Sequence, residues 1–225
     1  MANPVKIAPS VLSADLVKLE EDIREVERGG ADWLHVDVMD GQFVPNLTFG
    51  AAMIQALKKI SDLPLDVHLM VLEPERYIEP FRDAGADVFT FHQEATGHIQ
   101  RHLTAVRQAG MKAGLALNPS TPLNTIEDIV EDLDLLLIMS VNPGFAAQKY
   151  IPSATAKIAR ARKLIDERGS SAHIEVDGGI TLNTIEAAQK AGADVFVAGS
   201  AVFLADDPSA MVGELRKRCN EGVAV

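Results

Sequence analysis

Two hydrophobic periods alternate along the chain. Short runs rich in β-branched and aliphatic residues recur as "VKIAPS", "WLHVDV", "LPLDVHLM", "DVFTFH", "KAGLALN", "DLLLIMSV", "AHIEVDGG" and "DVFVAGS", and each reads as a strand. After each comes a stretch with apolar residues three and four apart, at residues 15–28, 51–59, 75–83, 99–108, 126–131, 154–167, 184–190 and 208–218. These are expected as amphipathic helices, with Ser13, Thr181 and Asn183 as candidate N-caps and Pro74 opening a helix after a strand. Eight βα units in this order favour a closed parallel (β/α)8 TIM barrel, an α/β fold, over a doubly wound sheet. A weak repeat runs through the same order. "GADWLHV" starts at Gly30, "GADVFTF" at Gly85 and "GADVFVA" at Gly192, with Asp134 opening "DLLLIMS". A glycine closing one helix and an aspartate opening the next strand account for it locally.

With 225 residues the chain suits one barrel domain over 1–225, because such barrels routinely run to about 200–250 residues. No G-x-G-x-x-G follows the first strand, which removes the main dinucleotide signal. A net charge of -11 argues against nucleic acid as a partner but permits a local phosphate pocket. The single Cys219 allows no intramolecular disulfide and is expected to be an ordinary thiol, so a reducing, cytoplasmic location is the simplest expectation. The opening "MANPVKIAPSVLSADL" lacks the basic start and apolar run of a signal peptide. No stretch approaches the roughly 18 apolar residues that span a bilayer.

Charge interrupts the strand pattern at one end. In "LHVDVMDGQFVPN", His35 and Asp37 share one strand face while Leu34, Val36 and Val38 take the other. Polar residues close other strands in the same way: Ser10 the first, His68 the third, His92 the fourth, Asn118 the fifth, Asp177 the seventh, and Gly199 with Ser200 the eighth. Barrel chemistry sits at these carboxyl ends. His35, Asp37, His68 and Asp177 form a two-imidazole, two-carboxylate set whose donors suit one divalent ion: zinc, iron(II), manganese or cobalt. Asp66 and Glu175 lie one step deeper on the same faces and read as structural groups beneath the site. His92 is expected to be structural at the site, and His98, His102 and His173 to be surface residues. Met39, Met70 and Met139 would line the same mouth and limit water access. Glycines in "SVNPGF", "VDGGI" and "VAGS" place backbone N–H groups where this architecture commonly holds phosphate.

Taken together, "APSVLSADL", "HVDVMDGQFVPN", "DVHLMV", "LNPSTP", "SVNPGF", "EVDGGI" and "AGSAVF" resemble, in order and spacing, the ribulose-phosphate 3-epimerase family over essentially the whole chain. The resemblance implies a divalent metal and metal-dependent interconversion of D-ribulose 5-phosphate and D-xylulose 5-phosphate in the pentose phosphate pathway, by an enediolate. It implies His35, Asp37, His68 and Asp177 as metal ligands, with Asp37 and Asp177 as the acid/base pair. Ser10, His68, the loop Gly144, Phe145, Ala146 and Ala147, the turn Asp177, Gly178 and Gly179, and Gly199 with Ser200 are implied as substrate contacts. A homo-oligomer is the expected assembly. Allulose 6-phosphate is the alternative substrate for the same machinery. Lyases of this barrel carry Asp-x-Lys-x-x-Asp on the third strand, where this chain has His68 in the lysine's place. One departure stands out: the loop reads "GFAAQ" where the family usually has "GFGGQ". Both alanines are expected at ordinary negative φ.

Overall fold

The computed structural model describes residues 3–221. Strands β1 Lys6–Pro9, β2 Leu34–Met39, β3 Leu65–Met70, β4 Val88–His92, β5 Lys112–Leu117, β6 Leu135–Met139, β7 His173–Asp177 and β8 Val195–Ala198 form one parallel sheet in the order β1-β8-β7-β6-β5-β4-β3-β2. A parallel bridge between Ser10 and His35 brings its two ends together, so the TIM barrel is closed but for a short seam. Helices α1 Leu19–Arg28, α2 Ala51–Ile60, α3 Ile78–Ala84, α4 Ile99–Gln108, α5 Ser153–Glu167, α6 Ile185–Lys190, α7 Ser200–Phe203 and α8 Pro208–Glu221 follow the strands. None of them is long and apolar enough to cross a membrane.

Several helix starts and one helix differ from the expectation, and the third-unit helix, expected from residue 75 behind Pro74, begins only at Ile78 because Pro74–Tyr77 is a 3-10 turn. The first helix starts at Leu19, because Val11–Ser13 forms a separate 3-10 turn that contains Ser13. The seventh-unit helix starts at Ile185 after Thr184, whose hydroxyl accepts from the Thr181 amide at 2.9 Å. Residues 126–131 form no α-helix. Two 3-10 turns, Leu123–Thr125 and Val130–Asp132, bring Ile126 and Val130 into the core instead. Glu127, Asp128, Glu131 and Asp132 would repel one another along one helical face.

Strand alternation sorts the core into two layers. Leu34, Val36 and Val38 of β2, with their counterparts on other strands, pack outward under the helices. Inside the barrel, Trp33, Leu135, Leu137 and Val195 fill the lower part. The repeated Gly-Ala-Asp segments do more than end helices. Gly30, Gly85 and Gly192 all take positive φ, and the following aspartates bind the backbone of the preceding strand. Asp32 accepts from Ile7 N at 2.7 Å, Asp87 from Leu65 N at 2.8 Å, Asp134 from Ala113 N at 2.9 Å and Asp194 from Ile174 N at 3.1 Å. Each is also paired with a helix cation: Arg216, Lys58, Arg107 and Arg162 respectively. The repeat is a clamp applied four times to the end of the barrel opposite the polar mouth. Cys219 is fully buried in α8, and burial pushes its thiol up to about 12, which leaves it unreactive.

Candidate active site

Parallel register builds the site by setting inward-facing residues of adjacent strands side by side. Asp37 of β2 lies opposite His68 of β3, Met39 opposite Met70, and Met139 of β6 opposite Asp177 of β7. One step deeper, His35 lies opposite Asp66. The His68 imidazole Nδ1 is 2.9 Å from Asp37 Oδ1 and 4.0 Å from Asp177 Oδ2. His35 Nε2 is 3.3 Å from the same Asp37 oxygen. One donor atom from each of these four residues lies within 4.8 Å of every other.

The surroundings fix the ring of His35. Its Nδ1 is 2.6 Å from Asp66 Oδ2 and 3.4 Å from Glu175 Oε1, so the groups read as structural do lie directly beneath the cluster. Its Nε2 faces the cluster, buried and without a hydrogen-bond partner. An orphaned imidazole nitrogen beside two carboxylates and a second imidazole is a donor set that fits a borderline divalent cation. Burial alone would lower the His35 pKa, but Asp37, Asp66 and Glu175 reverse this and raise it well above the ordinary value. Burial and the neighbouring Asp66 raise Glu175 in turn.

The two aspartates are driven apart. For Asp37 burial acts upward, but His35 and His68 outweigh it and hold the carboxyl well below the usual range. Ser10 Oγ donates to the other Asp37 oxygen at 2.7 Å, which also favours the ionised form. Asp177 is pushed up to about 6, first by burial and then by the charge of Asp37. Two neighbouring carboxyls of unequal acidity can hold one proton between them.

Above them lies a cavity of about 220 Å3. Asp37 and Asp177 reach it, together with Ser10, Met39, Met70, Met139, the loop Gly144, Phe145, Ala146 and Ala147, the turn Gly178 and Gly179, and Gly199 with Ser200. His35 and His68 are fully buried below it and do not line it. Asn118 does not line it either: its backbone N–H and C=O are taken by Glu94 and Lys157. Leu12 and Gln148 also line the cavity, as do Ser13 and Thr181, which the sequence marks only as candidate N-caps. The glycines at the turn after β7 are required. Gly178 and Gly179 have φ of 114° and 66°, and a Cβ on Gly179 would stand 2.4 Å from Tyr150 N.

Two histidines expected at the surface are not there. His102 is buried, 3.1 Å from the Thr96 hydroxyl, and His173 is half-buried, 3.0 Å from Asp194. His98 is exposed, as expected. The larger omission is Glu94, which lies against His92 at 3.2 Å. Its only trace in the sequence is a carboxylate two residues past a strand-end histidine. Burial would raise the Glu94 carboxyl, but hydrogen bonds from His92, Thr121 and the Asn118 amide overcome it and hold it at about 2. Burial carries His92 down to about 4 against the pull of Glu94.

Comparison with known proteins bears on this arrangement. The model of the "Ribulose-phosphate 3 epimerase family" matches residues 6–203. The chain is 48% identical to the ribulose-phosphate 3-epimerase of Bacillus subtilis, over 94% of this chain and 98% of that one. It belongs to the ribulose-phosphate 3-epimerase family. The chloroplastic ribulose-5-phosphate-3-epimerase of Arabidopsis thaliana is 50% identical over 91% of this chain and 74% of its own length. A solved 3-hexulose-6-phosphate synthase from Salmonella typhimurium superposes with a TM-score of 0.69 over 96% of this chain and 99% of that one, at 18% identity. At that identity it shares the barrel alone. At the "GFAAQ" loop one expectation fails. Ala146 has ordinary φ, but Ala147 sits in the left-handed region at φ 56°. The loop imposes it: Gln148 Nε2 donates back to Asn142 O at 2.7 Å and Phe145 O at 2.9 Å, closing a tight ring that one residue must complete with positive φ.

Proposed function

We propose that this chain epimerises D-ribulose 5-phosphate and D-xylulose 5-phosphate at C3, with Asp37 and Asp177 as the acid/base pair. The observation that carries the reading is the meeting of these two carboxyls, from β2 and β7, at one cavity, one held strongly acidic and the other raised to about 6. Epimerisation must remove the C3 proton from one face of the sugar and return a proton to the other. A single group cannot reach both faces, so two are needed, one ionised and one protonated at the start of each turnover. Asp37 takes the base position in one direction and Asp177 in the other.

His35, Asp37, His68 and Asp177 would hold a divalent cation, which would polarise the C2 carbonyl and stabilise the charge that builds there as the proton leaves. The enediolate is planar at C2 and C3, and Asp37 and Asp177 would flank it. Ser10 keeps Asp37 in place through its 2.7 Å hydrogen bond. Met39, Met70 and Met139, each at most 3% exposed, keep water from the reacting carbons. For the phosphate, Gly178, Gly179, Gly199 and Ser200 offer backbone N–H groups that need no cationic side chain. Helix α7 is a single turn, so these amides act individually rather than through a helix dipole.

The test joins metal analysis of purified protein with initial rates on ribulose 5-phosphate and allulose 6-phosphate. Product formed in deuterated water should carry deuterium at C3 from the first turnovers. Retention of the original C3 hydrogen in the product would point to one shuttling base and overturn the two-aspartate reading. Faster turnover of the six-carbon substrate would move the assignment to an allulose-phosphate epimerase.

A further inference from the structure

We propose that Glu94, acting through His92, is a positioning residue for the candidate metal centre: it holds a proton on His68 Nε2 and so leaves Nδ1, the nitrogen that faces Asp37 and Asp177, to take a cation. The inference rests on the metal reading above and extends it to Glu94, which reaches the cluster only through His92.

The argument is one of proton counting along a hydrogen-bonded chain. His68 Nε2 and His92 Nε2 are 2.8 Å apart. Two N–H groups cannot face each other at that distance, so a single proton lies between the rings. The next contact decides which ring owns it. His92 Nδ1 lies 3.2 Å from Glu94 Oε2, and an ionised carboxylate only accepts. His92 therefore carries its proton on Nδ1, and its Nε2 in the neutral ring is an acceptor. His68 must then donate from Nε2. His68 Nδ1, 2.9 Å from Asp37 Oδ1, is then the nitrogen at which a cation would take the place of the proton shared with that carboxylate, in the tautomer a metal ligand requires.

Each member of the chain is held. Both imidazoles are fully buried, which leaves the chain no water to exchange hydrogen bonds with. Phe43, from the loop after β2, covers His92 at 4.7 Å between ring centroids. Glu94 keeps its charge although its side chain is only 24% exposed, because Oε1 receives the Asn118 amide at 2.8 Å and the Thr121 hydroxyl. Lys157 of α5 fixes the same loop by donating to Asn118 O at 2.7 Å. The "LNPSTP" segment, which contains Asn118 and Thr121, thus has a task although it does not line the cavity: it clamps the carboxylate at the far end of the chain.

The test compares wild type with Glu94→Gln, whose amide can turn a donor toward His92 Nδ1 and reverse the chain. Cobalt(II) or zinc affinity is measured by chelator competition, and histidine tautomers are read from imidazole 15N shifts in the zinc-loaded protein. Expected are a loss of about 10–100-fold in metal affinity, an altered visible cobalt spectrum, and a His92 signal no longer uniformly Nδ1-protonated, with thermal stability little changed. Should the glutamine variant fail to fold, Glu94→Asp withdraws the carboxylate by one methylene and should cost roughly three- to tenfold in affinity, within the same range. Wild-type protein that binds metal, together with variants whose affinity stays within about threefold and whose loss is confined to thermal stability, would show a merely structural Glu94 and overturn the proposal alone. Wild-type epimerase that turns over without taking up a divalent ion would overturn the metal reading and this proposal with it.

Discussion

At Asp37 and Asp177 the site depends on single carboxyl groups whose surroundings push them in opposite directions. Replacing either with asparagine keeps the shape and most hydrogen bonds but removes a proton carrier. We expect Asp37→Asn and Asp177→Asn each to lower kcat/KM by at least ~10²–10⁴-fold with an unchanged circular dichroism spectrum; a variant near wild-type turnover would exclude that residue from the acid/base pair. Ala147 is the other residue whose conformation matters. Left-handed backbone costs a non-glycine residue about 1–2 kcal/mol, and a β-branched side chain makes it worse. Ala147→Val should therefore raise KM for the sugar phosphate and lower Tm by a few degrees, whereas Ala146→Val, at ordinary φ, should leave Tm unchanged. Equal effects at both positions would mean that the loop opens to another conformation in solution. The paired histidines and aspartates were legible in the sequence because strand alternation puts i and i+2 on one face. The φ of Ala147 was not, since it follows from hydrogen bonds made by Gln148 that no local pattern announces.

Elements were legible where the hydrophobic period met no opposing charge. All eight strands and seven of the eight expected helices form near where that period put them, while 126–131 failed because a helix there would stack Glu127, Asp128, Glu131 and Asp132 on one face. The repeated aspartates show the limit from the other side. Their spacing was visible, but their work, binding the amide of the preceding strand beside a helix cation, exists only once the barrel is closed. Helix α5 carries a similar hidden contact in Lys157, which is 4% exposed and donates to Asn118 O. Burial, opposed by the attraction of Glu94, lowers its pKa to about 8. A lysine depressed in the folded state binds fewer protons there than in the unfolded chain between pH 8 and about 10.4. Stability should accordingly rise with pH through that window, and below it the charged lysine imposes its full cost, up to about 3 kcal/mol. Lys157→Met removes the titration and also one hydrogen bond worth about 1 kcal/mol. Denaturant unfolding at several pH values should show wild type gaining on the methionine variant from pH 8 to 10; parallel curves would mean that Lys157 reaches solvent.

On the scale of the whole molecule, charge and binding site pull in opposite directions. The chain carries a net charge of -11, and a sugar phosphate near neutral pH brings close to two more negative charges. Among the described residues no lysine or arginine lines the cavity, so on the proposed reading the phosphate is held by the amides of Gly178, Gly179, Gly199 and Ser200, which act only at hydrogen-bond range. Long-range electrostatics then work against encounter. Salt screens that repulsion, because the Debye length falls from about 30 Å at 0.01 M to about 10 Å at 0.1 M, while short hydrogen bonds to a preformed turn are little affected. The expected outcome is a kcat/KM that stays level or rises as potassium chloride goes from roughly 0.01 to 0.2 M. An enzyme that grips phosphate with cationic side chains behaves in the opposite sense, losing association rate as salt is added. A fall in kcat/KM of more than about threefold, well outside the range that screening of a repulsive encounter permits, would therefore place a lysine or arginine at the phosphate. It would overturn the amide-only account of how so acidic a chain binds its substrate.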